Sequence, residues 1–314
     1  MEKSFKKPSV YIPLAMLCCL LWSSAFPAIK RGYFYFEITA QDYPAQILFA
    51  GCRFFAAGIL TILISSIIFK QPLYPKRKST FARIFALALV QTALNYSFFY
   101  LALALIDGSA GSVINASGSF FSVLLAAVFF KSDRLNGNKI IGCILGFSGI
   151  VLLNIKTLRF GGGLGGEGLM LLSALFYALS SVMIKKFSQQ DHPALLNGWQ
   201  FVLGGLMMIV TGVLLGGRLR TANIKAVLVL VYLALVSAVA YTLWSMLLKY
   251  NEVSKISVFG FINPVGGVIL SALLLHEKVD IVFSIISLAL VSLGIVIVNR
   301  RNSDLAKLNQ NLSG

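Results

Sequence analysis

Gly149-Ile150-Val151-Leu152-Leu153-Asn154 returns 145 residues later as Gly294-Ile295-Val296-Ile297-Val298-Asn299. At the same shift Tyr96 falls on Tyr241, Phe99 on Trp244, Asp107 on Glu252, Ser109 on Ser254 and Ser112 on Ser257. Nearer the start, Ile29-Lys30-Arg31 meets Ile184-Lys185-Lys186, and Pro44-Ala45 meets Pro193-Ala194, at slightly larger shifts. A register that drifts only between apolar segments is what an old duplication leaves. Each copy holds five apolar segments. Five is odd, so the second copy enters a membrane from the opposite face. Inverted repeats place two half-sites around one midplane cavity, an arrangement suited to alternating access.

Hydrophobic residues make up 58% of the chain and charged residues 12%, with a mean hydropathy of +0.84. A soluble domain carries about twice that charge. A bilayer core of about 30 Å needs roughly 20 helical residues. Segments of that order lie at 10–31, 46–69, 81–105, 109–131, 137–155, 167–187, 193–216, 225–249, 254–275 and 280–299. They are apolar all round and bounded by Gly, Pro and charge, so the expected fold is all-α, a polytopic membrane protein of ten transmembrane helices in two inverted five-helix repeats. A membrane barrel would show short alternating strands instead. The repeats are expected at 10–155 and 167–299, joined by a Gly-rich linker at 156–166. A short segment at 1–9 and a polar tail at 300–314 flank them.

The formal net charge of +16 invites a nucleic-acid reading, but its distribution argues for a bilayer. With both termini in the cytoplasm, 18 Lys and Arg fall on inside segments and 8 on outside ones. That asymmetry is the positive-inside rule. The expected location is a cell's plasma membrane, crossed many times, with lipid and a small-molecule solute as partners and no nucleic acid. Lys3, Lys6 and Lys7 before an apolar run, with Ser23-Ser24-Ala25 after it, imitate a signal peptide. The repeat counterpart of that run is an internal helix, so it reads as a retained span.

Several motifs lack their context. Gly163-Leu164-Gly165-Gly166-Glu167-Gly168 matches GxGxxG, yet no strand precedes it. His276-Glu277 has no second histidine, and His192 stands alone in a loop. Cys18, Cys19, Cys52 and Cys143 show no metal or disulfide spacing. No enzyme chemistry, cofactor or metal is indicated. Every acidic residue lies in a loop or at a helix end, so no deep carboxylate is available as a proton relay.

Arg53 is the one charge well inside a segment, about 10 Å from the outer edge at 1.5 Å per residue. Either it snorkels outward or caps a carbonyl, or it lines a cavity and meets an anionic group. Gln91 and Asn95 are four apart and share a helix face with Phe99. Asn115, Gln200 and Asn263 are further amides within spans. With Tyr96, Tyr241 and Trp244 they suit an amphipathic organic solute, unless they only join helices. Pro27 and Pro264 are expected to bend their helices. Gly142 and Gly146 mark tight helix packing, and the small residues at 115–119 suit a close approach of the fourth and ninth helices.

In these residues the chain resembles the drug/metabolite transporter superfamily, specifically its EamA-type ten-helix carriers. The resemblance covers about residues 10–300. It rests on the duplicated unit, Trp22-Ser23-Ser24-Ala25-Phe26, Arg53-Phe54, and Asn263-Pro264 with His276-Glu277. Ser119 departs from a common proline, and Ser132-Asp133 replaces a common Gly-Glu. The resemblance implies a central cavity and export or exchange of small metabolites, often amino acids, without ATP. The candidate solute-binding residues are Trp22, Arg53, Gln91, Asn95, Tyr96, Gln200, Tyr241, Trp244 and Asn263. The rival expectations are an intramembrane enzyme acting on lipid and a scaffold that transports nothing.

Overall fold

The structure is a computed structural model that describes residues 2–39, 41–70, 72–103, 105–106, 108–155, 163–220, 223–275 and 281–299. Most of the expected linker, His276 to Asp280, Asp107 and the polar tail lie outside the described residues.

The described regular structure is helical throughout. In chain order it comprises α1 (Pro8–Tyr35), α2 (Tyr43–Phe69), α3 (Lys78–Ala102), α4 (Gly108–Phe129) and α5 (Gly137–Asn154). Then come α6 (Gly163–Phe187), α7 (Pro193–Leu214), α8 (Ile224–Tyr250), α9 (Ile262–Leu275) and α10 (Ile281–Asn299). The residues Val253–Ser257 form a short helix leading to the 3₁₀ turn Val258–Phe261, which opens into α9. Seven of these helices have spans of 18 to 28 residues apolar enough to cross a membrane. Val113–Phe129 and Gly137–Leu152 are shorter apolar stretches. The protein is a polytopic all-α membrane protein. Leucine, isoleucine and valine side chains such as Ile67, Val128 and Leu214 stand fully outward, which hydrocarbon tolerates and water does not.

Local sequence explains the helix starts. Pro8, Pro44 and Pro193 sit in first turns, where a missing N–H costs nothing. Asp42, Asn136 and Asn223 accept hydrogen bonds from the backbone N–H of Ala45, Lys139 and Ala226 at 3.1, 2.9 and 2.9 Å. The linker reading needs one correction: α6 already begins at Gly163.

Two seams hold the bundle together. Along α2 and α7 the backbones nearly touch: a Cβ on Gly205 would lie 2.4 Å from the Phe55 nitrogen, and one on Gly51 2.6 Å from that of Ile209. Along α5 and α10, a Cβ on Gly142 would lie 2.6 Å from the Gly294 oxygen. Lipid gives apolar side chains no reason to leave it, so close backbone packing carries the association. Elsewhere α1 packs on α8 and α9, and α6 packs on α3 and α4. Replacing each helix by the one five places on returns the same set of pairs.

Two helices are less regular than their sequence periodicity suggests. The middle of α3, Ala88–Leu94, is π-helical. Its wider turn shifts Gln91 relative to the residues beyond Leu94, so the common face expected for Gln91, Asn95 and Phe99 is not that of a regular helix. The break near Pro264 falls just before it, in the 3₁₀ turn, because Pro264 has no N–H to offer the Gly260 carbonyl one turn back. By contrast α1 runs through Pro27 without interruption. Ser119 of α4 does face that turn: a Cβ on Gly260 would lie 2.6 Å from its Oγ.

Candidate functional site

Aromatic rings from α1, α2, α3, α7 and α8 meet in the middle of the bundle. Trp22 sets its edge against both Tyr241 and Trp244, with ring centroids 5.0 Å apart in each case. Phe201 packs on Tyr241 at 5.0 Å and on Phe54 at 5.3 Å, and Phe54 reaches Tyr96 at 4.4 Å. The Tyr96 and Tyr241 hydroxyls hydrogen-bond to each other. They are the two tyrosines related by the 145-residue repeat.

Polar atoms without partners gather around these rings. Among the described residues, Trp22 Nε1, Trp244 Nε1, Gln91 Oε1, Gln200 Nε2 and Asn263 Oδ1 are buried and make no hydrogen bond. An orphaned buried donor or acceptor costs about 1–3 kcal/mol. Five of the nine candidate residues carry one. Gln200 is held by its other end, where Oε1 accepts from Thr92 Oγ1 at 2.7 Å. Thr92 belongs to the π-helical turn, which therefore positions Gln91 and Gln200 together.

Asn95 behaves differently. Its Nδ2 donates to the Gln91 carbonyl at 3.2 Å and its Oδ1 accepts from Ser173 Oγ at 2.9 Å. It joins α3 to α6. Asn263 is linked to α1 through its backbone, whose oxygen accepts from Ser23 Oγ at 3.3 Å.

Arg53 is only 4% exposed, so it does not snorkel to the membrane surface. Its Nε donates to Ser237 Oγ at 3.0 Å, and Ser237 in turn donates to the Leu233 carbonyl at 3.0 Å. The guanidinium carbon stands 5.1 Å from the centre of the Phe54 ring. The phenols of Tyr33, Tyr96, Tyr100 and Tyr241 all lie within reach of its charge. No acidic side chain pairs with it among the described residues.

Asn197 was missed in the sequence, although it lies one helical turn from Gln200. It donates through Nδ2 to the Tyr241 carbonyl at 3.0 Å and to Ser245 Oγ at 2.8 Å, and its Oδ1 is unpartnered. Ser237, Ser173 and Thr92 were also missed. Small hydroxyl residues in apolar helices give no signal until their neighbours are known.

A second polar cluster lies where α4, α5 and the start of the Val253–Ser257 helix converge. Asp133, fully buried, pairs with Lys139 Nζ at 2.5 Å and accepts from both the backbone N–H and the hydroxyl of Ser254. Lys139 also meets Glu252 at 3.3 Å and donates to the Arg134 carbonyl at 2.9 Å. Separately, Arg83 pairs with Asp191.

The EamA-like transporter family matches residues 9–155 and again residues 164–300. The chain belongs to this family. Its curated relatives include an uncharacterized transporter of Archaeoglobus fulgidus, 28% identical over 85% of this chain and 90% of the relative. A probable amino-acid metabolite efflux pump of Escherichia coli is 27% identical over 84% of this chain and 87% of the pump. A chloroplastic WAT1-related protein of Arabidopsis thaliana is 26% identical over 82% of this chain, which spans 61% of that relative's length. A solved crystal structure superposes with a TM-score of 0.77 over 93% of this chain and 97% of its own, at 16% identity. That likeness extends to the fold. The protein is a multi-pass membrane transporter.

Proposed function

We propose that the protein carries small organic metabolites, amino acids or related amphipathic solutes, across a plasma membrane by alternating access, in export or exchange. The single observation that carries this reading is the central set of buried, unpartnered hydrogen-bonding groups among aromatic rings. A scaffold gains nothing by leaving indoles and amides unsatisfied, whereas a carrier must keep them ready for a solute. The meeting of Tyr96 with its counterpart Tyr241 fits a pseudo-two-fold axis through that point. Two efflux-pump names among the relatives point to amino-acid metabolites. Both termini are assigned to the cytoplasm on the distribution of lysine and arginine.

Coupling follows from where acids are missing. Without a deep carboxylate, transport runs down a solute gradient or by exchange rather than by titrating a relay. The test is counterflow in proteoliposomes loaded with a metabolite extract at equal pH on both sides. Labelled solute should enter faster when unlabelled solute waits inside. A carrier that moves nothing without a proton gradient, and loses that coupling in Glu277→Gln, would contradict the exchange mechanism.

A further inference from the structure

We propose that the site holds its solute by a carboxylate seated on Arg53, so that carboxylate-bearing metabolites are accepted with or without an amino group and simple cationic amines are refused. This rests on the carrier reading and names the chemistry of the same site.

Three observations carry it. First, Arg53 is buried and its described hydrogen bonding consists of one bond, from Nε to Ser237. A guanidinium has five N–H donors in a planar fork that matches a carboxylate through two parallel bonds. The fork's outer nitrogens are free to meet one.

Second, the unpartnered groups have a bias once their chemistry is sorted. Gln91, Gln200 and Asn263 can each present an oxygen or an N–H by flipping the amide. The groups whose character cannot change are Arg53, Trp22 and Trp244, which are donors only, and Asn197, whose Nδ2 is held by the Tyr241 carbonyl and whose free Oδ1 accepts, so fixed donors outnumber the one fixed acceptor. A surplus of fixed donors selects a ligand rich in acceptors. The described acids stand in loops or at helix ends, so no carboxylate balances an ammonium here.

Third, the dimensions suit a compact organic acid. Ser237, Tyr241 and Trp244 lie at helical offsets of four and three on α8, and so share one face. The seven helical steps from Ser237 to Trp244 cover about 10 Å along the axis. A carboxylate at the Arg53 end leaves the apolar body of the solute among Tyr241, Trp22 and Trp244.

Two of the three tryptophans line this site, so intrinsic fluorescence reports on it directly. Trp199 lies elsewhere, donating to the Leu73 carbonyl at 2.8 Å, and Trp199→Phe removes its signal. The protein in lipid nanodiscs is titrated with leucine, with 4-methylpentanoate (leucine without its amine) and with isopentylamine (leucine without its carboxylate). Leucine and 4-methylpentanoate should both shift the emission, with affinities within about tenfold of each other, and isopentylamine should not. Arg53→Lys, which keeps the charge but loses the fork, should weaken both acids about tenfold or more. Arg53→Gln should remove the response. Binding of isopentylamine as tight as that of leucine overturns the proposal, as does unchanged binding in Arg53→Lys, or silence from all three probes in the wild type. Counterflow separates the two levels. Metabolite exchange whose apparent affinity is unchanged in Arg53→Lys refutes carboxylate recognition and leaves the carrier standing; a wild type that exchanges nothing removes the carrier reading itself.

Discussion

Lys139 and Arg53 are equally buried, each 4% exposed, and differ in everything else. Lys139 sits at an end of the bundle with Asp133 at 2.5 Å, Glu252 at 3.3 Å and a backbone carbonyl at 2.9 Å. Arg53 sits at the centre with one hydroxyl and a ring of aromatic side chains. The Lys139 cluster is complete. It ties the 3₁₀ turn after α4 and the start of α5 to the segment that leads into α9. The Arg53 site is open in the chemical sense: its bonds are fewer than its capacity. Burial alone therefore does not distinguish structure from function in this protein, whereas the census of partners does.

The comparison breaks most easily at the Lys139 end. Removing one partner of a buried pair leaves an uncompensated charge and costs about 3–5 kcal/mol. Lys139→Met and Asp133→Leu should each lower the melting temperature of the detergent-solubilised protein sharply and cut its yield. The double variant should recover part of the loss. Recovery stays incomplete because Ser254 would still lack the acceptor it finds on Asp133. A Lys139→Met protein as stable as the wild type would remove the contrast altogether.

Next in size is the glycine seam. Gly205→Ala places a methyl 2.4 Å from the Phe55 nitrogen, and main chain cannot step aside as a side-chain tip can. Overpacking of this kind costs about 1–3 kcal/mol. Gly165→Ala, in α6, meets nothing within 4 Å and should be neutral or gain up to about 1 kcal/mol from helix propensity. Thermal unfolding of the two variants side by side gives the sign. Equal melting temperatures would mean that the seam yields more than its geometry implies.

At the Arg53 end stability should move the other way. An uncompensated cation within a membrane span is unfavourable by about 2.5 kcal/mol or more on insertion scales. Arg53→Gln should therefore leave the melting temperature unchanged or raise it, while abolishing the solute response. A large loss of stability would place Arg53 with Lys139 as a structural residue.

How much of this was legible in the sequence depends on which physical signal each feature leaves. The helices were readable because a bilayer demands long uncharged runs, and the segment boundaries fall within a few residues of the helix ends except in the ninth, expected from 254, where a short helix and a 3₁₀ turn precede α9 at Ile262. Gly142 and Gly146 were readable because a missing side chain at that spacing has few other uses, and Gly142 does meet Gly294. Trp22, Tyr96, Tyr241 and Trp244 were singled out by residue type and repeat position, and the structure brings their rings together. Asn95 shows the limit. An amide in a span announces only that it needs a partner, and here Ser173 and the Gln91 carbonyl supply one. Asn197 carries the same signal and went unnoticed. The π-helical turn of α3 was not readable, because Ala88–Leu94 has no proline or glycine to mark it. Its neighbour does: a Cβ on Gly204 would lie 2.6 Å from the Thr92 Cβ. The cluster around Asp133 was hidden for a different reason. Lys139 and Asp133 are close in sequence, but Glu252 and Ser254 join them across more than a hundred residues, and sequence spacing carries no trace of that.

The smallest expected effect concerns a third kind of site, in which one titratable group holds a helix end. His192 accepts a hydrogen bond from the Ala194 N–H on Nδ1 at 3.2 Å, and its ring meets Phe69 at 4.5 Å. Burial lowers its pKa below the ordinary 6.5, and the neighbouring charge of Lys249 lowers it further. Both favour the neutral ring that the capping bond needs, since a protonated Nδ1 has no lone pair to offer. A depressed folded-state pKa means that this contribution is fully present above 6.5 and is lost as the pH falls towards the lower folded value. The melting temperature of the wild type should thus fall between about pH 7.5 and about pH 5 by more than that of His192→Asn, which keeps a capping acceptor but does not titrate. Other groups titrate over that interval too, so the difference between the two proteins is the quantity to read. If the two curves run parallel, the cap is held by its proline and the packing against Phe69, and the imidazole lone pair contributes nothing that pH can remove.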